Sequence, residues 1–339
     1  MVKKIIKLTF VGLLALALIA AWLVFGSGTN FNENKKSFFI KTGSNYNDVE
    51  NGLNKNGIIK NSRIFNLLAK AIGYNENVKA GKYVIEKNSS IYTILKTIRS
   101  GRQTPVNFVI TKLRTKEDFV EKIIANFECD SITVMQFLNS PDSLKAYHLD
   151  TNTVMTAIIP DTYKLLWNSS FSKLFKRLYN ENQKFWDVER LKKAANLGLD
   201  KSQVYILASI VEEETNKAED KGKISSVYLN RYRKGMKMGA DPTVKFALKD
   251  FGLKRIYFKH LSVQSPYNTY LYKGLPPGPI CTPSKNTIDA VLNTPTTTYL
   301  YFVAKPDLNG YSNFATTYQE HLQFAKAYQQ ALDILMKKN

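Results

Sequence analysis

Cysteine and histidine are scarce in this chain of 339 residues, and their scarcity excludes several kinds of site. The two cysteines, Cys129 and Cys281, are too few for a disulfide framework and lack the spacing of metal ligands. Neither the Walker A pattern nor a Gly-x-Gly-x-x-Gly turn occurs, and no Gly-x-Ser-x-Gly nucleophile turn is present. We therefore predict a protein that uses no metal ion and no cofactor.

Acidic residues are also few, because 28 Asp and Glu stand against 48 Lys and Arg. The resulting net charge of +20 favours an anionic partner, such as a nucleic acid, phospholipid headgroups or an acidic polymer. The basic residues are scattered through periodic segments and form no basic arm or nucleic-acid motif. We predict that nucleic acid is not the partner.

The N-terminus contains a long apolar run. Lys3, Lys4 and Lys7 precede residues 8–25, which are 18 residues without charge, about the minimum length that spans a bilayer. No small-x-small cleavage site follows the run, which favours an anchor over a cleaved signal peptide. The lysines predict a cytoplasmic tail at residues 1–7, with the chain beyond about residue 30 outside the cell membrane.

The chain after the anchor reads as α+β. Residues 26–36 are small and polar and predict a linker. Three strand–turn–helix patterns follow, with strands at Phe38–Ile40, Tyr83–Ile85 and Phe108–Ile110. They indicate a small α+β domain, which either only builds a core or binds carbohydrate.

The remaining sequence predicts a larger, mainly helical domain with short strands. Helical spacing recurs at Phe171–Phe185, about 203–215 and Ile224–Tyr232. A loop is predicted from Gly235 to Val244, and Tyr299–Ala304 reads as a strand. Turn residues fill the segment between them.

The helix at about 203–215 carries the most informative residue. At ~100° per residue, Ile206, Leu207, Ile210 and Val211 form an apolar arc, and Glu214 falls in the middle of it. A glutamate on a buried face loses hydration, which raises its pKa and suits a general acid. The alternative is an ordinary carboxylate that opens to solvent or pairs with a basic side chain.

Seven motifs, in this order and spacing, resemble the endolytic murein transglycosylases of the MltG (YceG-like) family. They are Ala208–Thr215, Leu229–Arg231, Gly235–Met236, Asp241–Thr243, Tyr267–Tyr270, Gly274–Gly278 and Tyr299–Val303. The likeness extends from the anchor to the C-terminus. It implies a LysM-like domain at residues 37–104 and a catalytic domain at 105–339.

The resemblance also implies an activity. The family's catalytic acid is the second glutamate of Glu-x-Glu-Thr, which is Glu214 here. The implied substrate is the glycan strand of peptidoglycan, cut between N-acetylmuramic acid and N-acetylglucosamine at the outer face of the inner membrane. Peptidoglycan synthases and the proteins of the division or elongation machinery are the implied partners. Many relatives carry Glu-Gly where this chain has Met155 and Thr156, which argues against a second obligatory carboxylate there.

One acid suffices if the muramic 6-hydroxyl closes onto C1 as the nucleophile, whereas an ordinary glycosidase needs two carboxylates. Asp241, Tyr267 and Asn268 are the predicted contacts to the substrate or the transition state. Two alternatives are open. A hydrolytic muramidase would need a base such as Asp241 or Asp161, and a non-catalytic peptidoglycan-binding scaffold would need no acid.

Overall fold

A computed structural model describes residues 2–338, with side chains through 336. The chain divides into two compact units. The first contains the residues up to 108 together with 124–129 and 164–170. The second contains 109–123, 130–163 and the chain from 171 onward. The predicted α+β class, with a mostly helical body and short strands, is confirmed.

The first unit combines one long helix with a small α+β arrangement. Its elements are α1 (Val2–Phe25), β1 (Lys35–Ile40), α2 (Tyr46–Lys55), α3 (Ser62–Ala71), β2 (Gly81–Glu86) and α4 (Ile91–Ser100). Strands β1 and β2 pair antiparallel, with Lys35 opposite Glu86 and Ile40 opposite Gly81. Within residues 2–338, α1 is the one helix long and apolar enough to cross a membrane.

The core of the first unit follows from alternation on the strands and amphipathic spacing on the helices. Phe38 and Ile40 of β1 point inward, as do Tyr83 and Ile85 of β2. They meet the apolar faces of the helices, which include Val49, Leu53, Phe65, Ile94, Leu95 and Ile98. Asn45, Asn61 and Ser90 cap α2, α3 and α4 by accepting backbone N–H bonds, which fixes where each helix begins.

The segment 26–36, predicted as a linker, is part of the first unit. Gly28 N donates to Ser89 O at 3.0 Å, and Asn30 N donates to Ile58 O at 3.1 Å. Thr29 is buried and forms a β-bridge with Ile59. The small polar residues of this segment allow backbones to pair closely. The chain is therefore hydrogen-bonded to the rest of the first unit from Gly28 onward, three residues after the end of α1.

The rest of the chain is mainly helical. Its elements are β3 (Val106–Val109), α5 (Lys116–Asn126), α6 (Ser131–Asn139), α7 (Pro141–Lys145), β4 (Thr162–Leu165), α8 (Phe171–Phe185), α9 (Val188–Leu197), α10 (Lys201–Glu214), α11 (Ala218–Arg233), α12 (Asp241–Leu248), α13 (Phe258–Leu261), α14 (Lys285–Leu292), β5 (Tyr301–Ala304), β6 (Ser312–Ala315) and α15 (Tyr318–Lys338). Strands β3 and β4 form one two-stranded sheet, and β5 and β6 form another, antiparallel one.

Helix α10 is the centre of the second unit, and its whole circumference is buried. Tyr205, Ala208 and Ser209, which the helical projection placed away from the apolar arc, are as buried as Ile206 and Ile210. The Tyr205 hydroxyl donates to Ile158 O at 2.5 Å, which satisfies its polar atom inside the core. The one-sided apolar arc was therefore the wrong description of this helix.

The segment 241–248 is helix α12, which corrects the loop predicted through Asp241-Pro-Thr243. Pro242 lies in the first turn, where its missing N–H has no intrahelical partner to lose. The Asp241-Pro242 pair, which was interpreted as a turn, therefore begins a helix. This start places the Asp241 carboxyl at the N-terminus of α12.

Candidate active site

The three consecutive glutamates at the C-terminal end of α10 have different partners. Glu212 accepts hydrogen bonds from Lys221 Nζ at 3.0 Å and from Ser284 Oγ at 3.1 Å, and a third from the Thr287 hydroxyl. Lys221 belongs to α11, and the two hydroxyl groups belong to the start of α14. The Oε2 atom of Glu212 accepts all three bonds and thus joins three helices.

Glu213 is the anion of a second cluster. Lys112 Nζ lies 2.8 Å from Oε1, and Arg114 donates to Oε2 at 3.0 Å. Burial pushes the pKa of Glu213 upward, but the hydrogen bonds and charges of Lys112 and Arg114 outweigh it, so the pKa is lowered. This glutamate is ionised at neutral pH and cannot supply a proton.

Glu214 is the last residue of α10 and differs from both neighbours. It is partly exposed, and no salt bridge among the described residues reaches it. The Tyr228 hydroxyl of α11 donates to its Oε1 at 2.5 Å. Burial of the carboxyl raises its pKa to about 7, which the nearby Asp241 charge reinforces and Tyr228, Lys245 and Arg231 oppose.

The environment of Glu214 has a direct chemical consequence. A carboxyl with a pKa of about 7 keeps its proton on a large fraction of molecules at neutral pH. The C-terminal end of a helix disfavours negative charge and acts in the same direction. Because the side chain still reaches solvent, a bound substrate can receive that proton.

Asp241 is an exposed carboxylate beside this acid. It accepts a hydrogen bond from the Tyr270 hydroxyl at 2.6 Å. Burial and this bond to Asp241 raise the pKa of Tyr270, so the phenol stays protonated and keeps donating. The structure therefore brings together Glu214 and Asp241, each with a tyrosine donor. Among the described residues, no cluster of three or more His, Cys, Asp or Glu side chains has metal-binding geometry.

Arg231, the last residue of the Leu229–Arg231 motif, is held by backbone oxygens. Its Nε donates to Leu300 O at 2.7 Å and a terminal nitrogen donates to Met238 O. Its guanidinium also stacks over the Tyr301 ring at 5.3 Å. Arg231 thus joins the end of α11 to β5 and contributes positive charge near Glu214 from a fixed position.

Tyr267 lines a groove of about 290 Å³, together with Arg114, Lys116, Met155 and Phe246. Its ring packs on Phe246 with centroids 4.7 Å apart. Burial raises the pKa of Tyr267 to about 12, so its hydroxyl is a donor at neutral pH. Tyr267 therefore lies in a groove that also contains cationic side chains.

Asn268, a predicted contact to the substrate, has all of its side-chain hydrogen bonds to neighbouring backbone groups. It is fully buried, and its amide nitrogen donates to Leu261 O and Val263 O at 2.9 Å each. Its Oδ1 accepts from Tyr270 N at 3.0 Å. All of these bonds stay within the loop, so Asn268 shapes the segment that presents Tyr267 and Tyr270.

Tyr228 and Tyr270 are site residues that the sequence reasoning did not single out for a role. Tyr270 ends the Tyr267–Tyr270 motif, and Tyr228 directly precedes the Leu229–Arg231 motif. A helical pattern does not show whether a buried tyrosine donates a hydrogen bond in a site or only packs in the core.

We expect Tyr228→Phe to reduce kcat/KM about ten- to a hundredfold, because a charge-assisted hydrogen bond is lost as the Glu214 carboxylate forms. The same loss raises the pKa of Glu214, so the fall in rate at alkaline pH should move to higher pH.

Tyr205→Phe is the matched control, since Tyr205 is equally buried but donates to a backbone carbonyl of the core. It should lower stability and leave the pH profile of kcat/KM in place. A Tyr228→Phe profile that superimposes on the wild-type profile would contradict the coupling between Tyr228 and Glu214.

Comparison with known proteins identifies the family. Residues 38–327 match the model of the YceG-like family. The chain is 28% identical over 309 residues to the endolytic murein transglycosylase of Bacillus subtilis (strain 168), covering 85% of this chain and 83% of that protein. It is 27% identical over 337 residues to the endolytic murein transglycosylase of Streptococcus pneumoniae (strain ATCC BAA-255 / R6), covering 86% of this chain and 60% of that protein.

A solved structure is also similar. The 2.6 Å crystal structure of a putative yceG-like protein from Listeria monocytogenes superimposes with a TM-score of 0.58 at 26% identity. The match covers 86% of this chain and 99% of that one. The family resemblance drawn from the sequence motifs is confirmed, and the chain belongs to the YceG-like family.

Proposed function

We propose that this chain is an endolytic lytic transglycosylase that cleaves peptidoglycan glycan strands between N-acetylmuramic acid and N-acetylglucosamine, with Glu214 as the catalytic acid. The observation that carries the proposal is the Glu214 side chain at the end of α10, which is partly buried, accepts a hydrogen bond from the Tyr228 hydroxyl, forms no salt bridge among the described residues and has its pKa raised to about 7. Two relatives named endolytic murein transglycosylases support it. A non-catalytic scaffold would gain nothing from holding a carboxyl in this state.

The reaction needs a single carboxyl group. Glu214 donates its proton to the glycosidic oxygen as the bond from C1 breaks, which frees the 4-hydroxyl of N-acetylglucosamine. The muramic 6-hydroxyl oxygen bonds to C1 and closes the 1,6-anhydro ring. Its proton passes to the Glu214 carboxylate, which restores the acid. No water is consumed, and the nucleophile comes from the substrate at high effective concentration.

The neighbours of Glu214 stabilise the two charges that develop in the reaction, the positive charge on the sugar ring and the negative charge on the Glu214 carboxylate. The carboxylate of Asp241 supplies negative charge beside the positive, oxocarbenium-like sugar ring. Tyr228 steadies the Glu214 carboxylate after it has lost its proton. Tyr267 offers its ring to a sugar face in the groove that it shares with Arg114 and Lys116.

The first unit is proposed to anchor the enzyme and to bind glycan. Helix α1 would cross the cell membrane with residues 1–7 in the cytoplasm and the catalytic unit outside. A LysM-like role for residues 37–104 is supported by two antiparallel strands that enclose α2 and α3 in sequence. A cavity of about 430 Å³ between β1 and α2 offers polar backbone and Asp48 beside the exposed ring of Phe39. Enzymes that polymerise new strands would be its neighbours.

The products distinguish this reaction from hydrolysis. Purified peptidoglycan digested by the chain should yield ends that are lighter than hydrolytic ends by one water and resist borohydride reduction. The soluble protein used for this digestion should omit α1 and begin at residue 26, because Gly28, Thr29 and Asn30 pair with the rest of the first unit. Mass spectrometry is the readout. Mainly reducible ends that Asp241→Asn removes would make the chain a muramidase with Asp241 as its base.

A further inference from the structure

A basic groove lies on the first unit next to the outer end of α1. It has a volume of about 450 Å³ and is lined by Lys79, Lys96, Arg99 and Arg102, with Tyr92 at one end. All four cationic side chains are exposed. In the part of the chain that the structure describes, no carboxylate lines the groove and none of the four cations forms a salt bridge. The groove therefore carries uncompensated positive charge.

The sequence of α4 explains how the groove arises. Ile91, Ile94, Leu95 and Ile98 form the face that enters the core of the first unit. Tyr92, Lys96 and Arg99 are spaced i, i+4 and i+7, so they form one stripe on the outer face. A rise of about 1.5 Å per residue puts Lys96 and Arg99 roughly 6 and 10 Å along the helix from Tyr92.

An aromatic contact fixes the groove relative to the apolar helix. The rings of Phe25, the last residue of α1, and Tyr92 lie 5.4 Å apart, and both side chains are exposed. Aromatic side chains at the end of an apolar span lie at the level of the lipid headgroups. The cations of α4 then lie within about one to two Debye lengths of the membrane surface at physiological ionic strength.

We propose that this groove binds the headgroups of anionic phospholipids in the outer leaflet, and so holds the first unit against the membrane. The inference rests on the anchoring role proposed above for α1. Phosphate-bearing headgroups match the charge of the groove, and basic residues close to a bilayer are drawn to anionic lipid. The groove thus adds an electrostatic contact with the membrane surface to the anchoring by α1.

Hydrogen–deuterium exchange of the full chain in lipid nanodiscs tests the proposal. Nanodiscs of phosphatidylcholine are compared with nanodiscs that contain about one-third phosphatidylglycerol, after co-purification has shown that the chain is inserted. Amide exchange across residues 91–102 should slow severalfold in the anionic nanodiscs, and the effect should shrink at high salt. A chain that fails to insert overturns the anchor, whereas an inserted chain with equal exchange in both lipids overturns the groove alone.

Matched variants separate the groove from net charge. Lys79→Glu/Lys96→Glu/Arg99→Glu should abolish the lipid-dependent protection. Lys55→Glu/Lys60→Glu/Arg63→Glu also removes two lysines and one arginine, from exposed positions elsewhere on the unit, and should preserve the protection. Protection that persists in the groove variant overturns the proposal. Equal protection by soluble glycerol phosphate in neutral nanodiscs would also overturn it, because the ligand would then be a free phosphate. Glycan cleavage in detergent should be unchanged in both variants.

Discussion

Glu214→Gln is expected to reduce the rate of glycan cleavage by a factor of about 10³ or more while the fold is retained. Glutamine preserves the shape of the side chain and can still accept the Tyr228 hydrogen bond, but it has no proton to give to the glycosidic oxygen. The measurement is the release of soluble muropeptides from purified peptidoglycan, with folding checked by circular dichroism. A folded Glu214→Gln variant that digests at a near wild-type rate would remove Glu214 from the mechanism.

The neighbouring glutamates provide controls of the same chemistry. Glu212→Gln and Glu213→Gln should retain substantial activity, because both carboxylates are engaged by cations and hydroxyl groups of the scaffold. Each change leaves a partly buried cation without its partner, so both variants should be less stable than the wild type. Activity is therefore compared well below their unfolding temperatures.

Glu214→Gln should also be more stable than the wild type at alkaline pH, by about 3 kcal/mol. This free energy corresponds to a Glu214 pKa that rises from 4.5 to about 7 on folding, at 1.36 kcal/mol per pKa unit. Because the pKa of Glu214 is raised in the folded state, protonation favours folding. That contribution is fully present below about pH 4.5 and is lost as the pH rises through about 7. Glutamine cannot ionise and avoids the loss.

Unfolding of wild type and Glu214→Gln at a series of pH values measures this effect. The two should have similar stability near pH 4.5, and the variant should gain over the wild type between about pH 5 and 8. Every other titrating group is shared, so the difference between the two proteins isolates Glu214. A difference that is constant with pH would show that Glu214 has an ordinary pKa in the folded state.

Much of the fold could be predicted from periodicity and capping. The strand–turn–helix patterns at residues 38, 83 and 108 correspond to β1–α2, β2–α4 and β3–α5, and Phe171–Phe185 matches α8. Ser284 caps α14 by accepting a bond from Thr287 N. These features are local, since the signals lie within a few residues of the structure they specify.

Local patterns are less informative where distant residues decide the outcome. The segment 26–36 has the composition of a linker, but Gly28 and Asn30 find backbone partners about 60 and about 30 residues away, respectively. Asn268 is predicted from the sequence only as a substrate contact, whereas in the structure its amide donates to the carbonyls of Leu261 and Val263. No local pattern shows which backbone groups will be available when the chain has folded.

The sequence by itself determined the family, through the order and spacing of its motifs. It also determined the long apolar helix at the N-terminus and the position of the candidate acid. The helical projection selected Glu214 for a reason that the tertiary structure does not support, because α10 is buried on every side. The three glutamates differ in the partners that other elements supply. Glu212 and Glu213 are bound by cations and hydroxyl groups from α11, α14 and residues 112–114, whereas Glu214 is bound by a neutral phenol. The pKa of a carboxyl depends on the charges around it in space, and only the packing of distant segments sets those.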